Sequence, residues 1–300
     1  MIKTHVIYHA NCLDGLTAAA VTYVAFGDVA GYHAMKYGDK LPELESGSIV
    51  YFVDFSLKLE ELKELASRMH AVVVLDHHKT AQKELENVNE LYELCSDIDD
   101  VAALPSGSLL AHFDMNKSGA GITYQFFCGL DRSLPIDNNM VRLVQDRDIW
   151  KWEFGEDTRK FNAYLWTINK TPKAFAEIMR NSSSNTIMKQ MLQFGEVLLE
   201  GEKINIESLA KKPFEITING IVGIAANAAI LQSEVCVKLL KDNPQYSYAC
   251  CMYAKGDNMH YSLRSEGDFD VSEIAKVFGG GGHRNAAGFT RSQSKVEVRI

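Results

Sequence analysis

The hydrophobic residues of the first 130 positions alternate between short continuous runs and longer segments with a helical period. Continuous apolar runs that end in polar residues are typical of strands buried on both faces of a parallel sheet. Alternation of such runs with helical segments indicates βαβ units, with helices covering both faces of the sheet. The predicted elements here are strands at 4–9, 48–56, 71–75 and 106–114 and helices at 14–26, 57–69 and 119–129.

The pattern becomes largely helical between about residue 137 and residue 210. Ile187, Met191, Phe194 and Leu198 follow the 3.6-residue period, so we expect a long helix that links two bodies. Strand patterns return after Pro213. The predicted elements of this last region are strands at 214–220, 221–229, 246–255, 258–265 and 295–300 and helices at 230–240 and 271–278.

These patterns predict an α/β fold with two domains. The first domain, built on a parallel sheet, is expected over residues 1–165. A helical linker is expected over residues 166–212, and a smaller α/β domain over residues 213–300.

Composition narrows the class of protein. The 300 residues carry a net charge of −8 without a long basic run, which argues against binding of long duplex DNA. No apolar stretch is long enough to cross a membrane, and the first residues lack the pattern of a signal peptide. The six cysteines have no paired spacing, so we expect reduced thiols and a cytoplasmic protein.

Three of the predicted strands end in residues that can bind metals. The first ends at His9 and is soon followed by Asp14, the second ends near Asp54, and the third ends in Asp76-His77-His78. Carboxyl ends of parallel strands meet at one edge of the sheet, where ligands bind. Imidazole and carboxylate groups together suit manganese, zinc or iron(II), and two such ions can clamp a phosphoryl group.

Each of these residues alone has an ordinary structural explanation. A single histidine at a strand end is more often structural than a ligand, and Asp54 could simply cap the following helix. Their repetition at three successive strand ends favours the metal site. The segment 143–154 adds Asp146 and Asp148, either of which could supply another carboxylate.

The C-terminal region contains a run of four glycines in FGGGGHRNAAG, residues 278–288. Glycines let backbone N–H groups approach an anion closely, although such a run can also be a flexible turn. In the preceding predicted strand, His260, Ser262 and Arg264 share one face, where a hydroxyl and a guanidinium suit a phosphate. The alternative is an ordinary exposed strand face.

Taken together, these motifs resemble the DHH phosphoesterase superfamily, in the branch with a C-terminal DHH-associated domain and a GGGH motif. The resemblance is strongest to oligoribonucleases and small-nucleotide phosphodiesterases, and it covers roughly residues 4–150 and 215–295. It implies an N-terminal parallel-sheet DHH domain joined by a helical linker to a smaller C-terminal α/β domain that binds substrate.

The resemblance also implies a site with two divalent metal ions, expected to be Mn²⁺. Asp54 would bridge the ions, Asp76 would support His77, and His78 would contact the substrate phosphate. Asp146 resembles the single acid of the family more closely than Asp148 does. The implied metal ligands are His9, Asp14, Asp54, His77 and Asp146. The implied phosphate-binding residues are Ser262, Arg264, Gly280, Gly281, Gly282 and His283.

The chain departs from the family pattern in its first motif. Family members commonly carry an additional acid there, whereas this chain has Asn11 or Cys12 at that place. Neither residue is a hard anionic ligand at neutral pH unless Cys12 ionises, so the composition of the first metal site is left open.

The sequence thus predicts a manganese-dependent phosphodiesterase that hydrolyses short linear oligonucleotides or dinucleotides to nucleoside monophosphates. The alternatives are a cyclic mononucleotide or dinucleotide phosphodiesterase, an exopolyphosphatase, or a non-catalytic nucleotide-binding module with a degraded metal site. No membrane partner is expected. The oligomeric state is not determined by the sequence, and a homodimer is one option.

Overall fold

The computed structural model describes residues 2–95, 98–128 and 139–292. The chain divides into two compact units, Met1–Leu198 and Leu199–Ile300. Each unit contains its own six-stranded sheet, which confirms the predicted α/β fold class. In the described ranges, we find no helix with the length and apolar character that a membrane crossing requires.

The first unit follows the predicted alternation of strands and helices. Its strands are β1 (Thr4–His9), β2 (Gly31–Met35), β3 (Ile49–Val53), β4 (Ala71–Asp76), β5 (Asn89–Glu90) and β6 (Ser108–Phe113). Its helices are α1 (Leu13–Phe26), α2 (Leu59–Ala66), α3 (Lys79–Glu84), α4 (Leu91–Leu94), α5 (Ile98–Ala103), α6 (Gly119–Cys128), α7 (Asn139–Asp148), α8 (Glu156–Leu165), α9 (Pro172–Asn181) and α10 (Asn185–Ala210), which crosses the boundary between the units.

The sheet of the first unit is parallel throughout, in the order β2-β1-β3-β4-β6-β5. The central strands β3 and β4 are buried along their entire length, as their continuous apolar runs predict. The edge strands β2 and β5 lie outside the predicted elements. β2 is only half-buried and β5 has two residues, so neither shows a continuous apolar run.

Successive residues of the central strands enter two different cores, because strand side chains alternate between the faces of a sheet. Tyr51 and Val53 join the larger core beneath α1, α6, α7 and α9. Val50 and Phe52 join a smaller core on the opposite face, beneath α2. The sheet is therefore a rigid layer between helices, and its carboxyl edge is where chain segments leave the core.

The second unit is a smaller mixed α/β body. Its elements are strands β7 (Phe214–Ile218), β8 (Ile221–Asn227), β9 (Tyr248–Lys255), β10 (Asn258–Ser265), β11 (Gly281–His283) and β12 (Ala286–Ser292), with helices α11 (Gln232–Asp242) and α12 (Val271–Val277). The order is β11-β12-β10-β9-β8-β7, and all pairs are antiparallel except β8 with β9.

The glycine run of the second unit folds differently from a simple loop. Part of it forms β11, which pairs with β12. β12 was not predicted, because its half-exposed sequence lacks a clear apolar run. The strand predicted at 295–300 lies outside the described residues.

Candidate functional site

The carboxyl ends of β1, β3 and β4 bring the predicted metal ligands of the first unit together. These three strands are neighbours in the sheet, so His9, Asp54 and His77 leave it at the same edge. The Nε2 atom of His77 lies 3.3 Å from an oxygen of Asp54, and the Nδ1 atom of His9 lies 3.6 Å from its other oxygen. Asp54 therefore sits between two imidazoles.

Asp54 has an unusual backbone conformation at the end of β3. Its φ angle is +54°, in the left-handed region that Asp and Asn tolerate better than most residues. The first turn of α6 packs directly against it at Gly119, where any Cβ atom would overlap the Asp54 side chain. This close approach fixes the carboxylate, which is 1% exposed.

Asp14 lies in the first turn of α1 and is equally buried. One of its oxygens accepts a hydrogen bond of 3.2 Å from the backbone N–H of Ala120. The next residue, Gly15, is needed because a Cβ atom there would lie 2.5 Å from the carbonyl oxygen of His9. The glycine thus lets α1 begin against the end of β1 and places Asp14 3.9 Å from Nε2 of His77.

Of the two acids considered, Asp146 was preferred from the sequence, whereas the structure places Asp148 in this cluster. An oxygen of Asp148 lies 3.4 Å from Nε2 of His77. The two acids are separated by two residues of α7, about 200° around the helix axis, so they cannot face the same side. The sequence contained both acids, but not the orientation of α7.

Asp146 instead organises the turn that follows α7. Its buried carboxylate accepts hydrogen bonds from the backbone of Glu153 (2.7 Å), from the backbone of Phe154 (3.2 Å) and from the hydroxyl of Thr158. Burial raises the pKa of Asp146, but these hydrogen bonds outweigh burial and lower it overall. Asp146 is a structural anion with its own partners.

The edge of the sheet concentrates negative charge. Burial and the nearby carboxylates of Asp54 and Asp148 raise the pKa of Asp14 well above its usual range. Burial disfavours the imidazolium of His77, but the facing carboxylates outweigh burial and raise the pKa of His77 to about 9. Three carboxylates this close together repel one another, and bound cations would relieve that repulsion.

The donor set fits divalent metal ions. Oδ2 of Asp14 and Oδ2 of Asp54 are buried and have no hydrogen-bond partner among the described residues, which is costly unless a cation neutralises them. Among the described residues, candidate ligand atoms within 4.8 Å of one another form three groups around this point. The first is His9, Cys12 and Asp54, the second is Asp14, His77 and Asp148, and the third is Asp54, Asp76, His77 and His78.

Asp76 and His78 belong to the third group and form a close pair within it. Nδ1 of His78 lies 2.7 Å from Oδ1 of Asp76, which also accepts a backbone hydrogen bond of 2.8 Å from His77. Asp76 therefore orients the imidazole of His78 and only the backbone of His77, whereas we expected it to support the His77 ring. The hydrogen bond to Asp76 raises the pKa of His78.

Cys12 belongs to the first candidate group. It is half-buried and close to His9 and Asp54, whereas Asn11 is exposed. Burial and the carboxylates of Asp54 and Asp14 raise the pKa of the Cys12 thiol. A thiol whose pKa is raised stays protonated at neutral pH unless a bound cation favours the thiolate.

The second unit has a cavity of about 570 Å³ on the face of β10 that carries its polar residues. Of the predicted phosphate-binding residues, Ser262, Arg264, Gly280 and Gly281 line this cavity. Gly282 and His283 do not line it, and His283 is exposed on β11. His260 shares this strand face but was not among the predicted phosphate-binding residues. It lines the cavity and stacks on Tyr253, with ring centroids 5.0 Å apart.

Arg264 is held by neighbouring groups of the second unit. Its guanidinium donates to the hydroxyl of Ser233 (2.7 Å) and to the carbonyl of Leu263 (2.8 Å). A guanidinium has five N–H donors, so this arrangement fixes its position and still leaves donors for a ligand. Such a group suits phosphate or carboxylate.

The glycines of the run have different structural roles. A Cβ atom at Gly280 or at Gly282 would collide with the backbone of β12, so packing alone requires glycine at both positions. A Cβ atom at Gly281 would meet nothing within 4 Å. Gly279 also meets nothing, but its φ angle of +77° favours glycine, so Gly281 is the glycine of this run that neither packing nor a positive φ explains.

Comparison with known proteins agrees with these two sites. The DHHA1 domain family matches residues 209–298 of the second unit. The first unit carries Asp76-His77-His78 at the end of a buried strand, beside the acids described above. The chain is 27% identical over 315 residues to "Oligoribonuclease NrnB" of Bacillus subtilis, covering 98% of this chain and 74% of that protein. The DHHA1 match and the Asp76-His77-His78 motif make the chain similar to the DHH phosphoesterase superfamily.

Other similar proteins include "Uncharacterized protein R106" of Acanthamoeba polyphaga mimivirus, 29% identical over 318 residues, with 97% of this chain and 68% of that protein covered. Among solved structures, the pGpG-specific phosphodiesterase PggH of Vibrio cholerae has a TM-score of 0.54 at 12% identity, covering 97% of this chain and 93% of that one. Exonuclease RecJ bound to manganese has a TM-score of 0.50 at 15% identity, covering 97% and 86%. These structural likenesses support the DHH fold.

Proposed function

We propose that this protein hydrolyses short linear oligonucleotides or dinucleotides to nucleoside monophosphates with two Mn²⁺ ions. The observation that carries the proposal is the cluster of Asp14, Asp54 and Asp148 around His77 at one edge of the sheet. Buried carboxylate oxygens without hydrogen-bond partners are expensive in a fold and are common where a metal ion binds.

The first two groups of candidate ligand atoms support an assignment of residues to two separate ions. His9 and Asp54 would hold one ion, with Cys12 beside it, and Asp14, His77 and Asp148 would hold the other. Asp54 would serve both, since its two oxygens face different imidazoles. When bound, two divalent cations would supply Lewis-acid stabilisation of the phosphoryl oxygens and activate the attacking water.

The protein itself would orient the substrate phosphate. Asp76 fixes the ring of His78 through Nδ1, so Nε2 is the nitrogen that can donate to a phosphate oxygen. The raised pKa of His78 favours its protonated form, which is the better partner for an anion. Asp76 and His78 would thus act as a positioned hydrogen-bond donor.

The cavity of the second unit would bind a terminal phosphate of the substrate. Arg264 offers a guanidinium, Ser262 a hydroxyl and Gly281 an exposed backbone. His283 would have to reach the ligand from outside the present lining of this cavity.

Short substrates are favoured by two independent considerations. The net charge of −8 disfavours a long polyanion, which would meet repulsion outside the few cationic groups. The similar proteins include an oligoribonuclease and a pGpG-specific phosphodiesterase, and both names refer to short nucleotides.

A cyclic nucleotide is the second candidate substrate. The chain is 22% identical over 364 residues to the "3',5'-cyclic-nucleotide phosphodiesterase" of Helicobacter pylori, covering 96% of this chain and 92% of that protein. A cyclic phosphodiester presents the same phosphoryl group to the cluster but no terminal phosphate to Arg264. The two candidates therefore differ in their dependence on the second cavity.

A manganese titration followed by a substrate panel tests the proposal. Calorimetry should report two Mn²⁺ ions for each chain, and chromatography should show nucleoside monophosphates released from pGpG or pApA. Hydrolysis of 3′,5′-cyclic AMP alone would favour the second candidate, and release of phosphate from polyphosphate alone would indicate an exopolyphosphatase. Metal binding with no hydrolysis of any of these would contradict the proposed activity and leave a nucleotide-binding module.

A further inference from the structure

A cavity of about 480 Å³ opens beside the candidate metal ligands of the first unit. It shares His9, Asp14 and Asp148 with the metal cluster. Its other side includes Trp150 and Trp166. We name this space the indole pocket. Since it shares residues with the proposed metal cluster, a substrate bound at that cluster can extend into it.

The indole pocket contains two of the three tryptophans of the chain. Trp150 is 73% exposed and Trp166 is 50% exposed. An indole is large and apolar, so leaving two of them exposed around one cavity forgoes stabilisation that burial would provide. Exposed aromatic groups that border a concave site are typical of ligand-binding surfaces.

The backbone holds Trp150 in place in a conformation that bulky residues seldom adopt. Its φ angle is +60°, in the left-handed region. The turn is anchored by Asp146, whose carbonyl accepts from Lys151 at 3.0 Å and whose carboxylate accepts from Glu153 at 2.7 Å. The ring of Trp150 packs edge-on against Trp152, with centroids 5.0 Å apart. Backbone strain of this kind is frequent at functional sites.

Trp166 is held at the end of α8 by a different device. The ammonium of Lys170 donates to the carbonyl groups of Leu165, Trp166 and Ile168 at 2.8–3.0 Å. The same ammonium lies 4.9 Å from the centre of the Trp166 ring. Both indoles are therefore positioned by the protein before any ligand arrives, which lowers the entropic cost of stacking.

Arg147 provides the cationic group of the indole pocket. It is half-buried, and no hydrogen bond or ion pair to another described residue holds its guanidinium. A guanidinium can stack on an aromatic ring or donate to a phosphate or to a base edge. Two indoles and one available guanidinium are the combination that binds bases in single-stranded nucleic acids.

We propose that the indole pocket binds the nucleobase of one of the two nucleotides that flank the scissile phosphate, by stacking on Trp150 and Trp166. This inference rests on the proposed phosphodiesterase function and specifies its substrate as a nucleotide rather than a polyphosphate. Every base has a π-face, so stacking accepts all four bases with similar affinity. Polyphosphate has no apolar or aromatic group that could stack on these indoles.

Binding of a mononucleotide tests the inference without any catalysis. In a Trp152→Phe background, where Trp150 and Trp166 are the only tryptophans, adenosine 5′-monophosphate should quench the tryptophan emission with saturation. Ribose 5-phosphate has the same phosphate and sugar but no base, and it should not quench. Equal quenching by both compounds, or no quenching by either, would overturn the inference even if the enzyme hydrolyses dinucleotides.

Kinetics of pApA hydrolysis provide the second test. Removal of a stacking indole should raise KM by about 5- to 100-fold in Trp150→Ala and Trp166→Ala. Trp150→Phe and Trp166→Phe should restore most of the affinity, because a phenyl ring still stacks. Phe194→Ala removes an equally exposed aromatic side chain outside the indole pocket and should leave KM unchanged.

Dinucleotides that lack one base separate stacking from general damage to the site. When the abasic residue replaces the nucleotide whose base would occupy the indole pocket, Trp150→Ala and wild type should have the same KM. A loss of affinity that is equal for pApA and for both abasic analogues would contradict the inference. If wild type hydrolyses no dinucleotide at all, the proposed function fails, and the quenching titration still decides whether a base binds.

Discussion

The two candidate binding sites of this chain are built on opposite physical principles. The sheet edge of the first unit collects buried acids, with Asp14 and Asp54 each 1% exposed. The cavity of the second unit presents an arginine, a hydroxyl and an exposed glycine backbone. The first site has an excess of carboxylates and the second supplies a guanidinium, so the first suits metal cations and the second suits anions.

The difference also concerns the cost of each site to folding. Buried carboxylates without partners and a left-handed backbone at Asp54 destabilise the fold unless a ligand compensates. In the second cavity Ser262 and Arg264 are only half-buried and are hydrogen-bonded to each other, so this site costs the fold little. We therefore expect mutations at the first site to alter function strongly and stability weakly, and we expect milder effects at the second.

The largest effect is expected from Asp54→Asn. Asparagine tolerates the left-handed backbone of this position, so the fold should survive, while the carboxylate between His9 and His77 is lost. Loss of even an outer partner of a metal ligand costs about 10- to 100-fold, so hydrolysis should fall at least about 100-fold. Initial rates with saturating Mn²⁺ measure this.

Circular dichroism and a thermal melt provide the control for Asp54→Asn, and both should resemble wild type. A variant that keeps a tenth of the wild-type rate at saturating manganese would contradict the role of Asp54 between two ions. A variant that does not fold would instead show that the carboxylate has a structural role.

A second prediction separates Asp148 from Asp146. Asp148→Asn should weaken Mn²⁺ binding by at least about 10-fold and leave stability unchanged, because Asp148 faces His77 and is partly exposed. Asp146→Asn should lower the free energy of unfolding by about 1.5–3 kcal/mol, because it weakens charged hydrogen bonds to Thr158 and the following turn. Calorimetry and urea denaturation of both variants measure the two quantities.

The two aspartates form a matched pair, since each variant is the control for the other. If Asp146→Asn loses metal affinity while its stability is unchanged, the assignment from the sequence was right and the structural one is wrong. If Asp148→Asn binds Mn²⁺ like wild type, the second group of ligands lacks its third member.

Much of the first site could be predicted because strand ends are visible in a sequence. Continuous apolar runs located β1, β3 and β4, and the parallel arrangement then brought His9, Asp54 and His77 to one edge. The prediction needed no side-chain detail. It depended only on where each buried run stops and on the rule that parallel strands end together.

The remaining assignments depend on rotations that a sequence does not show. Asp146 and Asp148 differ by two positions in α7, and only the helix orientation decides which one faces His77. The sequence also does not show that the ring of His78, and not that of His77, forms the hydrogen bond with Asp76. Trp150 lies in the turn after α7 and Trp166 at the end of α8. No spacing pattern in the sequence predicts that both line one cavity.

The third prediction concerns the anion site of the second unit. Arg264→Ala should raise KM for pApA by about 10- to 100-fold with little change in kcat, since it removes a charged hydrogen bond to a substrate phosphate and no residue of the proposed metal cluster. Arg284→Ala is the matched control, because this exposed arginine pairs with Asp268 and does not line the cavity. Equal KM values for the two variants would mean that Arg264 does not bind substrate.

The smallest effect is expected from Gly281→Ala, and it tests whether the glycine run binds a ligand or only packs. A Cβ atom at Gly281 meets nothing within 4 Å, so this variant should be as stable as wild type. If phosphate approaches the backbone there, the methyl group should obstruct one hydrogen bond and raise KM by about 3- to 10-fold. Gly280→Ala is the contrasting variant, since its Cβ atom would collide with the backbone of β12 and should cost about 1–3 kcal/mol of stability. Thermal melts and KM measurements on both variants separate the two roles. If Gly281→Ala is stable and has the wild-type KM for pApA, the glycines serve only the pairing of β11 with β12, and the phosphate is held by Arg264 and Ser262 without them.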